Sequence, residues 1–206
     1  KLLTFSKIRA ASQIMANLPY VKGVRIGIKL PDTVNIMIEE ESVVYAIKSS
    51  DGQWWMMDSD GRVVEQANNA KAATATQVLG VTLEAPTVNE KGVATEMTPS
   101  ETNELGELIP VTTTGAQRLT AALQILKALE NNDIVGEAAS VDVTSTEDII
   151  LWYGTRYQVN LGDTSRLDYK VDCMNDAILQ MSDYQSGVLD ISFTIWPNQV
   201  GYTPFA

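Results

Sequence analysis

LPYVKGVRIGIKLPDTVNIMIEEESVVYAI, residues 18–47, is the stretch that decides the fold. Within it Val24, Ile26 and Ile28 alternate with Arg25, Gly27 and Lys29, and Val34, Ile36 and Ile38 alternate with Asn35 and Met37. A period of two marks strands, because successive side chains of an extended backbone point to opposite faces. Leu30-Pro31-Asp32-Thr33 lies between the two segments and supplies a Pro-Asp turn, so they pair as a hairpin. Upstream, SKIRAASQIMAN (6–17) sets Ile8, Ala11, Ile14 and Met15 at helical spacing behind Ser6, a hydroxyl N-cap, and Leu18-Pro19 ends the helix. One helix and two strands make a thin core, so the beginning of this unit is expected before Lys1.

Downstream the pattern becomes that of a strand-rich domain. SVVYAIKSS, QWWMMD and RVVEQ are separated by Ser50-Asp51-Gly52 and Asp58-Ser59-Asp60-Gly61, which predicts a three-strand meander with Asp-Gly turns. Residues 66–77 are small and polar, and VLGVTL (78–83) is a short strand. Glu84–Leu108 contains Pro86, Pro99 and two glycines, and reads as a mobile loop whose deletion leaves the domain folded. GAQRLTAALQILKALEN (115–131) carries Leu119, Ala122, Leu123, Leu126 and Leu129 on one helical face and stops at Asn131-Asn132. AASVDVTS, DIILWYG and RYQVNLG read as strands, and Leu167, Val171, Met174, Ile178 and Leu179 as the inner face of a helix within 163–184. VLDISFTI and QVGYTPFA close the chain as a strand pair around Trp196-Pro197-Asn198. Pro204 has no N–H for a ladder, so the last strand lies at an edge or ends there. The fold class is therefore α+β, with the helix and hairpin over residues 1–41 and a β-rich mixed sheet with two packed helices over 42–206.

Composition narrows the chemistry. The 206 residues are 45% hydrophobic, enough to bury a sizeable core, and the net charge of −11 opposes binding to a nucleic-acid backbone. There is no histidine, which removes the Ser/His/Asp and Cys/His nucleophile arrangements and every imidazole metal site. Cys173 has no second cysteine to pair with, and Asp172 and Asp176 beside it disfavour a thiolate, so it reads as a small buried hydrophobe. No apolar run approaches the roughly 20 residues of a membrane span. Glu39-Glu40-Glu41 reads as a solvated run, and Asp58-Ser59-Asp60-Gly61 lacks calcium-loop spacing and reads as a turn. Ser165 with Lys170 has no hydrolase motif around it. Trp54 and Trp55 face opposite sides of one strand, one for core packing and one for surface cover. Lys22, Arg25 and Lys29 form a basic row that reads as an exposed hairpin face. No catalytic residue, metal site or cofactor is assigned.

The same residues carry a resemblance. Leu18-Pro19-Tyr20-Val21, the hairpin Lys29-Leu30-Pro31-Asp32-Thr33 and Glu39-Glu40-Glu41 resemble the end of a POTRA domain entering the β domain of the bacterial FtsQ/DivIB cell-division family. Trp54 to Val64 is similar to that family's strand, Asp-x-x-Gly turn and strand. Val159-Asn160-Leu161-Gly162 with Leu167-Asp168-Tyr169-Lys170 is similar to its late strand and helix, and Leu189-Asp190-Ile191 with Val200 to Pro204 to its closing pair. The chain departs from the family in having no POTRA start before Lys1 and no family mark in Glu84–Leu108.

The resemblance implies the C-terminal part of a POTRA domain over 1–41 and a β domain over 42–206. It further implies a non-enzymatic divisome scaffold for septum formation, held in the cell membrane by an upstream single-pass anchor, with this ectodomain outside the cytoplasm. The implied partners are FtsB/DivIC and FtsL, with other divisome proteins reached through the POTRA unit. In that family the partner adds a short strand to the C-terminal edge and packs a helix nearby. Carried onto this sequence, the partner-binding residues are Thr194 and Trp196 near the turn and Gly201, Tyr202 and Pro204 in the closing strand. The residues alone support that edge. Unpaired main-chain groups attract an extended partner, and Phe193, Trp196, Tyr202 and Phe205 place four of the 14 aromatics in the final 14 residues. Two alternatives stand beside this: a POTRA-containing chaperone or secretion module, and a secreted acidic enzyme or glycan-binding protein.

Overall fold

A computed structural model describes residues 6–40, 44–96, 113–194 and 198–205. Helix α1 (Lys7–Asn17) leads into strands β1 (Val21–Lys29) and β2 (Thr33–Glu40). Then follow β3 (Tyr45–Ser49), β4 (Trp54–Met57), β5 (Val63–Ala67), the single-turn α2 (Asn69–Ala72) and β6 (Gln77–Leu83). The remainder is α3 (Gly115–Asn131), β7 (Ala138–Asp142), β8 (Ile149–Tyr153), β9 (Tyr157–Gly162), α4 (Leu167–Leu179), β10 (Gly187–Asp190) and β11 (Gly201–Pro204). This is the expected α+β class. The expected boundary between residues 41 and 42 falls outside the described residues.

β1 and β2 form their own antiparallel pair, with Val24 opposite Ile38, Ile26 opposite Ile36 and Ile28 opposite Val34. Ser6 caps α1 by accepting the Arg9 N–H at 3.3 Å, as its hydroxyl predicts. α1 lies against β1 but leaves Ile36 and Ile38 exposed.

The other nine strands make one sheet in the order β11-β10-β9-β8-β7-β6-β3-β4-β5. The predicted meander β3-β4-β5 is antiparallel. The pairs β3/β6, β6/β7 and β9/β10 are parallel, and the last two are bridged by α3 and α4. Register lines explain the layering. Ile47, Val78, Val141, Leu151, Val159, Leu189 and Tyr202 stand side by side across seven strands and form, with α3 and α4, the main core. The adjacent line runs Glu65, Met56, Ala46, Gln77, Ser140, Trp152, Gln158, Val188 and Thr203, and faces away from those helices. On that second face the described residues cover the β3–β5 end, with Ala72 of α2 and Tyr20 over Ala46, Met56, Val64 and Ala67. Trp54 belongs to this smaller cluster and Trp55 to the main one, so both tryptophans are packing residues.

α3 occupies the predicted span and buries Leu119, Ala122, Leu126 and Leu129. Thr114 caps it, accepting the Gln117 N–H at 3.1 Å while Gln117 Oε1 accepts the Thr114 N–H at 2.8 Å. Thr114→Ala removes one arm of this reciprocal cap, and urea denaturation is expected to record a loss of about 1 kcal/mol.

Several expectations are corrected. Residues 66–77 hold a helical turn because Asn68 caps it, accepting the Lys71 N–H at 2.9 Å. The first half of Glu84–Leu108 is packed rather than mobile. Glu84 donates to Val93 O, Thr95 donates to Thr82 O, and Ala94 is buried. Deleting that half therefore strips cover from the core, and residues 97–108 lie outside those described. Cys173 is half-buried, and Leu179 is 75% exposed because α4 ends there. The Asp58 turn is confirmed: its buried carboxylate accepts the N–H groups of Asp60 and Arg62 and pairs with the Arg62 side chain at 3.0 Å.

Candidate functional site

A sheet has two edges, and in this one they differ. At the start of β5 the chain covers its own edge: Val63 donates to Glu90 O, Asn89 donates to Val63 O and Gly92 donates to Gly61 O, each at 2.8 Å. At β11 no described strand lies beyond Gly201–Pro204. Phe205 donates its N–H to Ser186 O at 3.1 Å, which sets the alternation along β11. Gly201 and Thr203 turn their main-chain groups toward β10, and Tyr202 and Pro204 turn theirs outward. The free margin thus offers the N–H and C=O of Tyr202 and the C=O of Pro204.

β11 sits unusually close to β10. A Cβ on Gly187 would collide with the Thr203 carbonyl oxygen and lie 2.8 Å from Tyr202 Cε2 and 2.9 Å from Pro204 Cα, so only glycine admits this approach. Tyr202 closes the contact by donating its hydroxyl to Ser186 O at 3.1 Å, with its ring against the main core. Phe205 stacks on Trp152 with centroids 6.2 Å apart, an aromatic pair at the edge of the uncovered face.

β10 is shorter than predicted. Asp190 accepts the N–H and hydroxyl of Ser192, a local turn that ends the strand at Asp190. Phe193 then takes a left-handed φ of 59° and lies outside any strand. Its ring meets Tyr169 of α4 at 5.6 Å between centroids, and the Arg166 guanidinium lies over both rings. Arg166 also donates to Asn198 Oδ1 at 3.0 Å, and both of those residues have left-handed φ values, 55° and 56°. Three non-glycine residues in that sparsely populated region within one cluster mark a surface whose shape is held by its contacts. Beside it runs a groove of about 650 Å³ between α3 and α4, lined by Gln124, Lys127, Arg166 and Tyr169 among others.

Of the predicted partner-binding residues, Gly201, Tyr202 and Pro204 lie on the free edge, Phe193 in the aromatic cluster, and Thr194 on the exposed turn between them. Trp196 lies outside the described residues. Ser186, Gly187, Arg166 and Tyr169 escaped the sequence reading; the glycine just before Val188-Leu189-Asp190 was the one available signal.

No protein-family model matches the chain. It is 25% identical over 185 residues to the cell division protein DivIB of Clostridium tetani, covering 88% of this chain and 62% of that protein. It is 34% identical over 65 residues to the cell division protein DivIB of Clostridium acetobutylicum, covering 32% of this chain and 26% of that protein. The chain thus spans less than two thirds of the length of these relatives. Two relatives of one name, and a fold of the class expected from the residue resemblance, support placing the chain in the FtsQ/DivIB family of bacterial cell-division proteins.

Proposed function

We propose that this chain is an interaction module of the division machinery, a scaffold rather than an enzyme, that accepts a strand from a partner at β11. The observation that carries this is the asymmetry of the sheet: one edge is met at its start by residues 89–92, and at the other no described strand lies beyond the outward main-chain groups of Tyr202 and Pro204. Similarity to two DivIB proteins supports the division role. FtsB/DivIC and FtsL are the proposed partners, with residues 1–41 as the C-terminal part of a POTRA unit and 42–206 as the β domain. The strand would lie along Tyr202–Pro204, and an adjoining helix would rest on Phe193, Tyr169 and Arg166 beside the α3–α4 groove. The proposed location is the outer side of the cell membrane at the septum. Among the described residues no helix is long and apolar enough to cross a membrane, and the proposed anchor lies upstream.

Two substitutions test the edge by calorimetry against the extracytoplasmic segment of the cognate FtsB/DivIC protein. Tyr202→Pro removes the outward N–H and is expected to abolish measurable binding. Tyr202→Phe keeps the N–H and the ring and is expected to bind within a few-fold of wild type. Equal binding by both variants, with circular dichroism unchanged, would place the partner elsewhere.

A further inference from the structure

Four polar contacts among the described residues join the helix–hairpin unit to the large sheet at one corner. Tyr20, between α1 and β1, lays its ring on the Ala46, Met56 and Val64 cluster. Its hydroxyl donates to Glu65 Oε1 at 2.8 Å and accepts from the Lys71 ammonium at 3.2 Å. Lys71 pairs directly with Glu65 and lies 5.5 Å from the centre of the Tyr20 ring. Alongside, Arg62 reaches the Val21 carbonyl at 3.5 Å and Asn89 donates to the Ala16 carbonyl at 2.9 Å.

The sheet side of this corner is rigid. Glu65 stands on a strand opposite Met56, and Lys71 is carried by the turn that Asn68 caps. The other side is held by little apolar surface: of the described residues 6–40 only Val21 is buried, with the Tyr20 ring beside it. Half-exposed ion pairs and hydrogen bonds contribute little each, and a joint made mostly of them opens more readily than an apolar interface of the same extent. The three groups act on one another: hydrogen bonds from Lys71 and Tyr20 outweigh burial and hold the Glu65 carboxyl below its ordinary range, and Glu65 in turn raises Lys71.

We propose that Tyr20, Glu65 and Lys71 form a reversible latch that fixes the direction in which the helix–hairpin unit leaves the nine-stranded sheet. Closed, the latch makes the hairpin and the β11 edge parts of one body; open, it lets each point independently.

Backbone ¹⁵N relaxation on the whole chain reads this directly. In wild type, amides of β1–β2 and of the large sheet are expected to share one rotational correlation time. In Glu65→Ala/Lys71→Ala the hairpin amides are expected to lose common tumbling and show a shorter correlation time, with cross-strand contacts within both sheets retained. Tyr20→Phe, which deletes only the hydroxyl, is expected to shift the hairpin in the same direction, and it decides the matter if the double variant unfolds the hairpin. Separate tumbling in wild type, or common tumbling retained in both variants, would overturn the latch.

Discussion

Gly80→Ala is expected to lower the unfolding free energy by roughly 2–5 kcal/mol, a left-handed backbone penalty plus the cost of moving main chain out of a collision. Gly80 sits where β6 steps out of register: Ile47 pairs with Val78 and the next residue, Lys48, with Thr82. The step needs a φ of 81°, and it brings the chain just after β7 so close that an alanine Cβ would lie 2.5 Å from Thr144 Oγ1 and 2.6 Å from its Cα. The Gly80 carbonyl meanwhile accepts from Arg118 at 3.3 Å, so the bulge cannot drift without disturbing α3. Gly52→Ala is the control, since Gly52 has the same φ of 81° and nothing within 4 Å of the added carbon. Urea denaturation of both should show a loss of about 1 kcal/mol at position 52 and the larger loss at 80. Equal losses would mean that the Thr144 backbone gives way freely.

Lys170→Met should cost about 2–3 kcal/mol, even though it removes a charge from the interior. Lys170 is 1% exposed, and its ammonium donates to Leu161 O at 2.8 Å, Asp163 O at 2.9 Å and Asp163 Oδ1 at 2.8 Å. Methionine fills the volume, and the half-exposed Asp163 carboxylate returns to water at small cost. The Leu161 carbonyl cannot, because β9 holds it inside; that stranded acceptor decides the sign. Acid tests the same contact. Bonds from Lys170 and then Ser165 pull the Asp163 carboxyl from 3.8 to about 2. Its stabilisation is therefore complete above pH 3.8 and is lost as pH falls through 2, modestly because the group is exposed to solvent. In Asp163→Asn the stability–pH curve is expected to be flatter over that window. Wild-type stability for Lys170→Met, or an unchanged acid limb for Asp163→Asn, would refute the assignment.

What the residues disclosed and withheld has a physical pattern. α3 was legible from end to end because its leucines follow the helical period and Asn132 stops it. The hairpin and the meander were legible because adjacent strands joined by Pro-Asp or Asp-Gly turns pair locally. The parallel pairings of β3 with β6 and β9 with β10 join strands far apart in sequence, and no local pattern encodes them. The burial of Lys170 depends on carbonyls that β9 and the turn after it present, which the residues around it in sequence do not encode. At the site, Pro204 correctly announced an edge, since a residue without N–H is tolerated only where no ladder needs it. The run Ser192-Phe193-Thr194 has strand-like composition, yet the Asp190 side chain turns the chain out of the sheet first. α2 was hidden because four residues of Asn, Ala and Lys have no room to show a period.

The unequal edges of the large sheet also govern growth. An open-ended stack of copies requires each molecule to lend one free edge and receive on another, and at the second edge of this sheet residues 89–92 already occupy the main-chain groups of Gly61 and Val63. A strand laid on β11 from another molecule would extend the sheet at the Gly201–Pro204 end. Two copies meeting edge to edge would close on themselves as a pair and go no further. Addition at this end of the large sheet is thus confined to the four-residue margin of β11.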